Sequence, residues 1–434
     1  MATVTIDVDL PPGITVTGYE RHGDGHGFEV SWPLPQRCRC DGCGREEEVY
    51  LEFTGRVQVV RDLDLWGQPS FWIYHSAFHR CPWCNHRQWL IPPFKRKDTS
   101  YTYRFELQVL RLLIGSNEEE VARRLGLSAE TVALIVRNQL ADGKAKEVDP
   151  QRLITDLGID ELSLQKRHQL YATLLTDLTN PERPEVLAVA EGRDEAAARK
   201  CLEKLAEPQR QRVQTYRADM AQAFHNACRA LLPKAKPVVD RFHVAKKFNE
   251  AIDGQRKKIT RAYKAKLSKA ERKEFRSLMW EFRRDPQELS EEQKQKLEGL
   301  FRKLPRLRAL YAFRVRFQNI FDTARDRRQA LRDLVGLFLD MLEDFPELDA
   351  FIRTFEAWQE EILNYFDARQ TSATVEGLNN KARVILKRAY GLKGADSLWT
   401  RLILDVNRAT DVVLYSIDQI KELVAGFRAA FACT

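Results

Sequence analysis

No apolar run in this 434-residue chain approaches the eighteen or so residues that a membrane-crossing helix needs. Its opening stretch, MATVTIDVDLPPG, lacks the basic and then apolar pattern of an export signal. Internal repeats and long low-complexity tracts are also missing, which excludes solenoid and fibrous architectures. A cytoplasmic protein with no membrane attachment is expected. Eight cysteines are present, but in that setting, and with CxxC spacing, they point to metal rather than to disulfides.

What is present is ordinary globular material, 44% hydrophobic and 30% charged. At this length the chain divides into about two to four domains. The formal net charge is +8, and its distribution says more than its sum. Residues 241–310 hold 21 Lys and Arg against 10 Asp and Glu, a net of +11, so the remainder is slightly acidic. Positive charge concentrated in this way suits a polyanionic partner.

The patterning changes along the chain. Up to about residue 95 it is β-rich: ATVTIDVDL alternates at period two, followed by GFEVSW, EVYLEF, VQVVRDLDL and SFWIYHSAFHRC. Helical periodicity takes over from Tyr101. Between about 150 and 240, strands and helices alternate. ITDLGID, HQLYATLLTDL and VLAVAEG are three successive strands; then come a helix from Asp194, the strand VQTYRAD, the helix MAQAFHNACRALL and the strand KPVVD. This order is mixed α/β. Beyond Arg241 the chain reads as almost wholly helical, with breaks near Pro286, Pro305 and Pro346.

Cys40-Asp41-Gly42-Cys43 and Cys81-Pro82-Trp83-Cys84 form two CxxC knuckles. Each places two thiolates on one tight turn, and two such turns close a tetrahedron around Zn²⁺. Four thiolates leave no open position, so the zinc is expected to be structural. Cys38 is a substitute ligand to consider, whereas Cys201, Cys228 and Cys433 read as core or surface thiols.

Asn117 to Leu140 has the length and apolar spacing of a helix-turn-helix. Asn117 or Ser116 caps the first helix, Gly126 breaks it, and Ser128 with Thr131 opens the second. That second helix presents Thr131, Arg137 and Asn138 outward, suited to a DNA major groove. Trp280 and Trp358 lie in helical apolar patterns and are expected in the core.

Three carboxylates stand out. Asp160 closes ITDLGID, Asp219 closes VQTYRAD, and Glu376 lies in TSATVEGLNNKARVILKRAYG. If the two strands pair, both aspartates leave the sheet at one edge and can share Mg²⁺.

The segments GIDEL (158–162), YRADM (216–220), VVDRFHV (238–244) and TSATVEGLNNKARVILKRAYGLKG (371–394) resemble the catalytic blocks of bacterial insertion-sequence transposases of the ISL-three type. The resemblance covers essentially the whole chain, and EGLNNKARVILKRAYG is its most specific part. It implies a multidomain α/β protein: a β-rich zinc ribbon at 1–97, a helix-turn-helix at 98–148, and a ribonuclease-H-like DDE catalytic domain at 149–240 and 371–434. Residues 241–370 would be a basic helical insertion in that domain. By the resemblance, Asp160, Asp219 and Glu376 are the catalytic residues and hold Mg²⁺ (or Mn²⁺), with Asp240 in a supporting role.

Lys381, Arg383, Lys387 and Arg388 are expected to hold phosphates near the metals. Arg256, Lys257, Lys258, Arg261, Lys264 and Lys266 are expected to grip flanking DNA. The implied activity is binding of the element's terminal inverted repeats, strand cleavage, and transfer of the ends to target DNA. The implied assembly is a homodimer or larger on double-stranded DNA, associated with the nucleoid when bound. Two other readings use the same residues: a nuclease that cuts without joining, and an inactive DNA-binding regulator.

Overall fold

The computed structural model describes residues 10–140, 147–165, 170–368, 373–389, 392, 394–407, 421, 422 and 424. The expected first strand, ATVTIDVDL, lies outside them apart from Leu10. The chain divides into two compact units, residues 1–143 with 408–434, and residues 144–407. No described helix is long and apolar enough to cross a membrane.

In the first unit, β1 (Thr15–His22), β2 (Gly25–Ser31), β3 (Arg37–Arg39), β4 (Glu46–Glu48), β5 (Leu51–Leu65), β6 (Gln68–Arg80) and β7 (Arg87–Trp89) follow in order. They form a sheet ordered β1-β2-β6-β5, with β7 on β6, and a separate β3–β4 hairpin. The sequence suggested separate strands at EVYLEF and VQVVRDLDL. The second half of the first and all of the second instead fuse into the fifteen-residue β5, which register shifts at Phe53/Val57 and Asp62/Leu65 accommodate. Val30, Val60, Trp72, Tyr74 and Phe94 fill the core of the sheet.

Three helices follow: α1 (Tyr103–Leu113), α2 (Glu118–Leu125) and α3 (Ala129–Gln139). Asn117 caps α2 by accepting from Glu120 N at 2.8 Å, and Ser128 caps α3 by accepting from Thr131 N at 3.1 Å. Gly126 ends α2 in the left-handed conformation, φ 65°, which glycine adopts without a Cβ penalty. Val121, Leu125, Val132, Ile135 and Val136 are buried, leaving Glu130, Leu134 and Arg137 exposed along the outer face of α3.

The second unit opens with β8 (Asp156–Gln165), β9 (Leu170–Asp177), β10 (Glu185–Glu191), α4 (Glu195–Leu202), α5 (Glu207–Arg210), β11 (Thr215–Ala218), α6 (Gln222–Leu231) and β12 (Lys236–Val239). The sheet order is β10-β9-β8-β11-β12. The first three strands form an antiparallel meander, and β11 and β12 run parallel to β8. Ile159, Leu175, Tyr216 and Ala218 face a core made with Ala198, Leu202, Phe224 and Cys228 of α4 and α6. Side chains alternate across a sheet, so Asp160 and Asp219 belong to the opposite face.

From Asp240 onward the unit is helical: α7 (Arg241–Ala265), α8 (Lys269–Glu281), α9 (Glu291–Lys303), α10 (Pro305–Thr323), α11 (Arg327–Asp344), α12 (Asp349–Ala357), α13 (Gln359–Leu363) and α14 (Tyr365–Ala368). Aromatics stack within their core, with Phe248 on Phe317 at 3.9 Å and Phe351 edge-on to Phe248. The end of this segment is tied back to the sheet. Asn364 Nδ2 donates to Pro237 O at 2.7 Å, Arg229 pairs with Glu361 at 2.6 Å, and Lys236 pairs with Asp367. The chain thereby returns to the sheet's level before α15 (Ala373–Arg388) and α16 (Ala395–Leu402). Beyond α16, the Asn407 amide brackets the backbone of Val186, donating to its carbonyl at 2.7 Å and accepting from its N–H at 3.0 Å. It so covers a stretch of the outer strand β10.

Candidate active site and cysteine metal centre

Register builds the site. Thr215 pairs with Asp156 and Arg217 with Gly158, so β11 runs beside β8 at a fixed offset. One step past Ala218, that offset sets Asp219 level with Asp160. On the other side of β11, Ala218 pairs with Val239, and the next step sets Asp240 level with Asp219. Three aspartates thus stand in one row across three neighbouring parallel strands. The sequence suggested that Asp160 closes its strand, but β8 runs on to Gln165. Asp160 sits mid-strand because β9 continues to pair with this stretch of β8, through Leu162↔Ala172 and Ser163↔Tyr171.

Each aspartate has its own surroundings. Asp160 accepts from Glu161 N at 2.7 Å through Oδ1, and Asn379 Nδ2 of α15 donates to its Oδ2. Burial pushes the Asp160 carboxyl up to about 6, assisted by Asp219 and Asp240 and opposed by His243 and the Glu161 N–H. Asp219 Oδ1 is buried and has no hydrogen-bond partner among the described residues. The Asp240 side chain accepts from Phe242 N at 2.8 Å, capping α7.

Two histidines support the row. His225 is fully buried; its Nε2 lies 3.0 Å from the Asp219 carbonyl, and its Nδ1 lies 3.2 Å from the Tyr216 hydroxyl. Burial lowers its pKa, which suits a neutral ring donating to Asp219 O and accepting from Tyr216. His243 Nδ1 lies 3.5 Å from Asp240 Oδ2. Burial works against its charged form, but Asp240, Asp160 and Asp219 outweigh that effect and hold its pKa above the ordinary value.

A buried carboxylate oxygen without a partner and a carboxyl whose pKa is raised by burial and, to a lesser extent, by its acidic neighbours are the features a divalent cation would relieve. Among the described residues, three or more donor atoms within 4.8 Å of one another occur at the cysteines and at Glu47–His79–Cys81, and not at the aspartates. The aspartate row is therefore an open arrangement.

Glu376 is the fourth residue of α15, one helical turn before Asn379. Its side chain lies outside the described residues. Lys381, Arg383 and Lys387 are exposed on α15, with Arg383 donating to Asn380 at 2.7 Å. Arg388 instead pairs with Asp405 at 2.6 Å. On α7, Lys257, Lys258, Arg261 and Lys264 are exposed, as is Lys266 just past its end, whereas Arg256 is buried against Asp253 at 2.8 Å. On α3, Thr131 and Asn138 are half-buried beside exposed Arg137. Trp358 packs half-buried against the helical core and 4.7 Å from the His225 ring. Trp280 departs from expectation: it is 68% exposed, because Phe275, Leu278 and Met279 form the inward face of α8.

At the cysteine centre, the Cys40 and Cys84 sulfurs lie 3.6 Å apart, and those of Cys43 and Cys81 3.7 Å. Tetrahedral zinc with bonds of about 2.3 Å requires sulfur separations of about 3.8 Å. The two knuckles are built alike. Gly44 N donates to Cys40 O at 2.8 Å and Asn85 N to Cys81 O at 3.0 Å, with both Gly44 and Asn85 left-handed. A Cβ on Gly42 would lie 2.8 Å from His86 Cβ, so only glycine lets the knuckles approach. Cys38, on β3, is not one of the four clustered sulfurs. The donor set fits zinc.

A family model described as Transposase matches residues 157–402. The chain belongs to the ISL3-type DDE transposase family. It is similar to the Bordetella parapertussis transposase for insertion sequence element IS1001, at 27% identity over 380 residues, covering 85% of this chain and 89% of that protein. It is 24% identical over 384 residues to the Mycobacterium tuberculosis transposase for insertion sequence element IS1557, covering 83% and 84% respectively. The family match runs from the second residue of β8 to the last of α16 and contains the whole aspartate row. Membership in a DDE transposase family implies use of a divalent metal, which agrees with the unsatisfied Asp219 oxygen. Sequence reasoning missed Asn379, His225 and His243. The sequence signals that were there to read are the Asn-Asn step three residues past Glu376 and the histidines six and three residues past Asp219 and Asp240.

Proposed function

We propose that the chain binds the terminal inverted repeats of its insertion sequence, cuts the strands there, and joins the freed ends to target DNA by metal-dependent phosphoryl transfer. The observation that carries this reading is the register of Asp219 beside Asp160, with Asn379 of α15 bonded to Asp160. The meander followed by two parallel strands supports a ribonuclease-H-like catalytic domain at 149–240 and 371–434, interrupted by the helical segment 241–370. The capped α2–Gly126–α3 pair supports a helix-turn-helix within 98–148, with Thr131, Arg137 and Asn138 toward DNA. The four-cysteine geometry supports structural zinc within 1–97.

Asp160 and Asp219 would supply carboxylate oxygens to the cation, and Glu376 would supply a third from the start of α15. A Mg²⁺ or Mn²⁺ ion held there supplies Lewis-acid stabilisation of the charge that develops on the phosphodiester oxygens. Asn379 fixes the direction of the Asp160 carboxylate, and neutral His225 holds the Asp219 backbone. Asp240 supports the site from the end of the row, dividing its charge between the α7 cap and His243. Lys381, Arg383 and Lys387 steady the phosphates flanking the cut. The 3′ hydroxyl released by hydrolysis is itself the nucleophile for joining, so no serine or tyrosine adduct is formed. Two element ends must meet, so the working unit is a dimer or larger on double-stranded DNA, in the cytoplasm at the nucleoid.

The test is Asp160→Asn with DNA carrying the element's terminal repeats and Mg²⁺ or Mn²⁺. The variant is expected to bind this DNA normally and to lose strand cleavage. Cutting at the wild-type rate would sink the assignment. With the wild type, joined products support transposition, and cleavage without joining points to a nuclease.

A further inference from the structure

The exposed indole of Trp280 sits in a groove that the aspartate row does not use. Helices α7 and α8 enclose about 450 Å³ between them, lined by Lys257, Arg261, Lys264, Arg276, Trp280 and Arg283 among others. Lys257, Arg261 and Lys264 recur at helical spacing and so form a stripe on one face of α7. Arg276 and Trp280 stand one turn apart on α8. Arg283 is anchored by Asp253 and lies 5.5 Å from the centre of the indole, which is nevertheless 68% exposed. Among the described residues, no carboxylate lines the groove.

This combination selects its occupant. A groove lined by basic side chains, with no acid among its described residues, attracts a phosphate backbone. An open indole gains little from a duplex, whose bases already stack on one another. It gains from a base that has left its stack, because every nucleobase offers a flat π-face. We propose that the α7–α8 groove is a single-strand DNA site, in which an unpaired base stacks on Trp280 while adjacent phosphates lie along Lys257, Arg261 and Lys264. The site rests on the reading of the chain as a DNA-acting transposase. It adds to that reading a place for a strand opened at an element end.

Equilibrium binding of the full-length protein to a fluorescent oligothymidylate and to a blunt duplex of equal length, at fixed salt, tests the proposal. Trp280→Ala is expected to weaken single-strand binding about tenfold and to leave duplex binding within about twofold. Trp280→Phe, which keeps a ring, retains most of the affinity. Lys264→Glu weakens both DNAs. An unchanged single-strand affinity in Trp280→Ala, or equal losses for strand and duplex, overturns the stacking role. Trp280 is exposed, so its variants should keep the wild-type unfolding temperature. The readout is binding and not cleavage, so it can fail or succeed independently of the Asp160→Asn experiment.

Discussion

The Asn379 side-chain amide donates to Asp160 Oδ2 across 219 positions of sequence. This bond docks α15, the helix that carries Glu376, on the face of β8 that bears the aspartate row. A neutral donor suits the place: it orients the carboxylate without competing for its charge as a lysine or arginine would.

Replacing Asn379 tests that role. Hydrogen bonds to charged groups contribute about 1.5–3 kcal/mol. Asn379→Ala should therefore lower strand cleavage by roughly tenfold to a hundredfold, while DNA binding changes little. Asn379→Asp, which replaces the donor with a carboxylate that repels Asp160, should lower cleavage at least as far. Wild-type cleavage by Asn379→Ala across a Mg²⁺ titration would remove Asn379 from the positioning of Asp160.

The cysteine centre gives a second expectation. Zinc should be present at about one ion per chain, measured by elemental analysis of the purified protein. Cys81→Ser should lose the metal and destabilise the β-rich unit, because a thiolate ligand and the anchor of one knuckle go together. Cys38→Ser should keep both. Full zinc content in Cys81→Ser, or zinc loss in Cys38→Ser, would show that the ligand set is wrongly drawn.

A third expectation concerns pH. The folded-state pKa of Asp160 is raised from 3.8 to about 6 by burial and its acidic neighbours. The native protein therefore holds this proton more tightly than the unfolded chain does. The group's contribution to stability is full below about pH 4 and declines as pH rises through about 6. A cation that displaces the proton reverses the decline. Calorimetric Mg²⁺ titrations in buffers of different ionisation enthalpy should show proton release near pH 6 and almost none at pH 8. Equal release from Asp160→Asn at pH 6 would assign the proton to another group.

Local chemistry in the sequence foretold much of the framework. The two CxxC turns were readable from their cysteine spacing, and in the first of them Gly42 and Gly44 supply the close approach and the left-handed turn. Asn117 and Ser128 were readable as caps because their side chains satisfy N–H groups two or three residues on. Asp219 was readable at a strand end because it closes the short strand VQTYRAD ahead of a helical pattern.

Other features depend on partners distant in sequence. Whether Arg256 and Arg388 face DNA or stay inside is decided by Asp253 and Asp405, and both arginines are paired with them. Trp280 looked like core in a one-dimensional helical pattern, but the direction of the inward face is set by where α9 packs against α8 and where Tyr263 of α7 meets Phe275.

By itself, then, the sequence determined the kinds of element, their order and the acids that end or interrupt them, since propensity, capping and alternation act over a few residues. Tertiary structure alone decided that Asp160, Asp219 and Asp240 stand level, that Asn379 reaches the first of them, and that an indole is left open among cations. Strand register and helix docking are fixed by burial and hydrogen bonds between segments tens to hundreds of residues apart, and no local pattern encodes that distance.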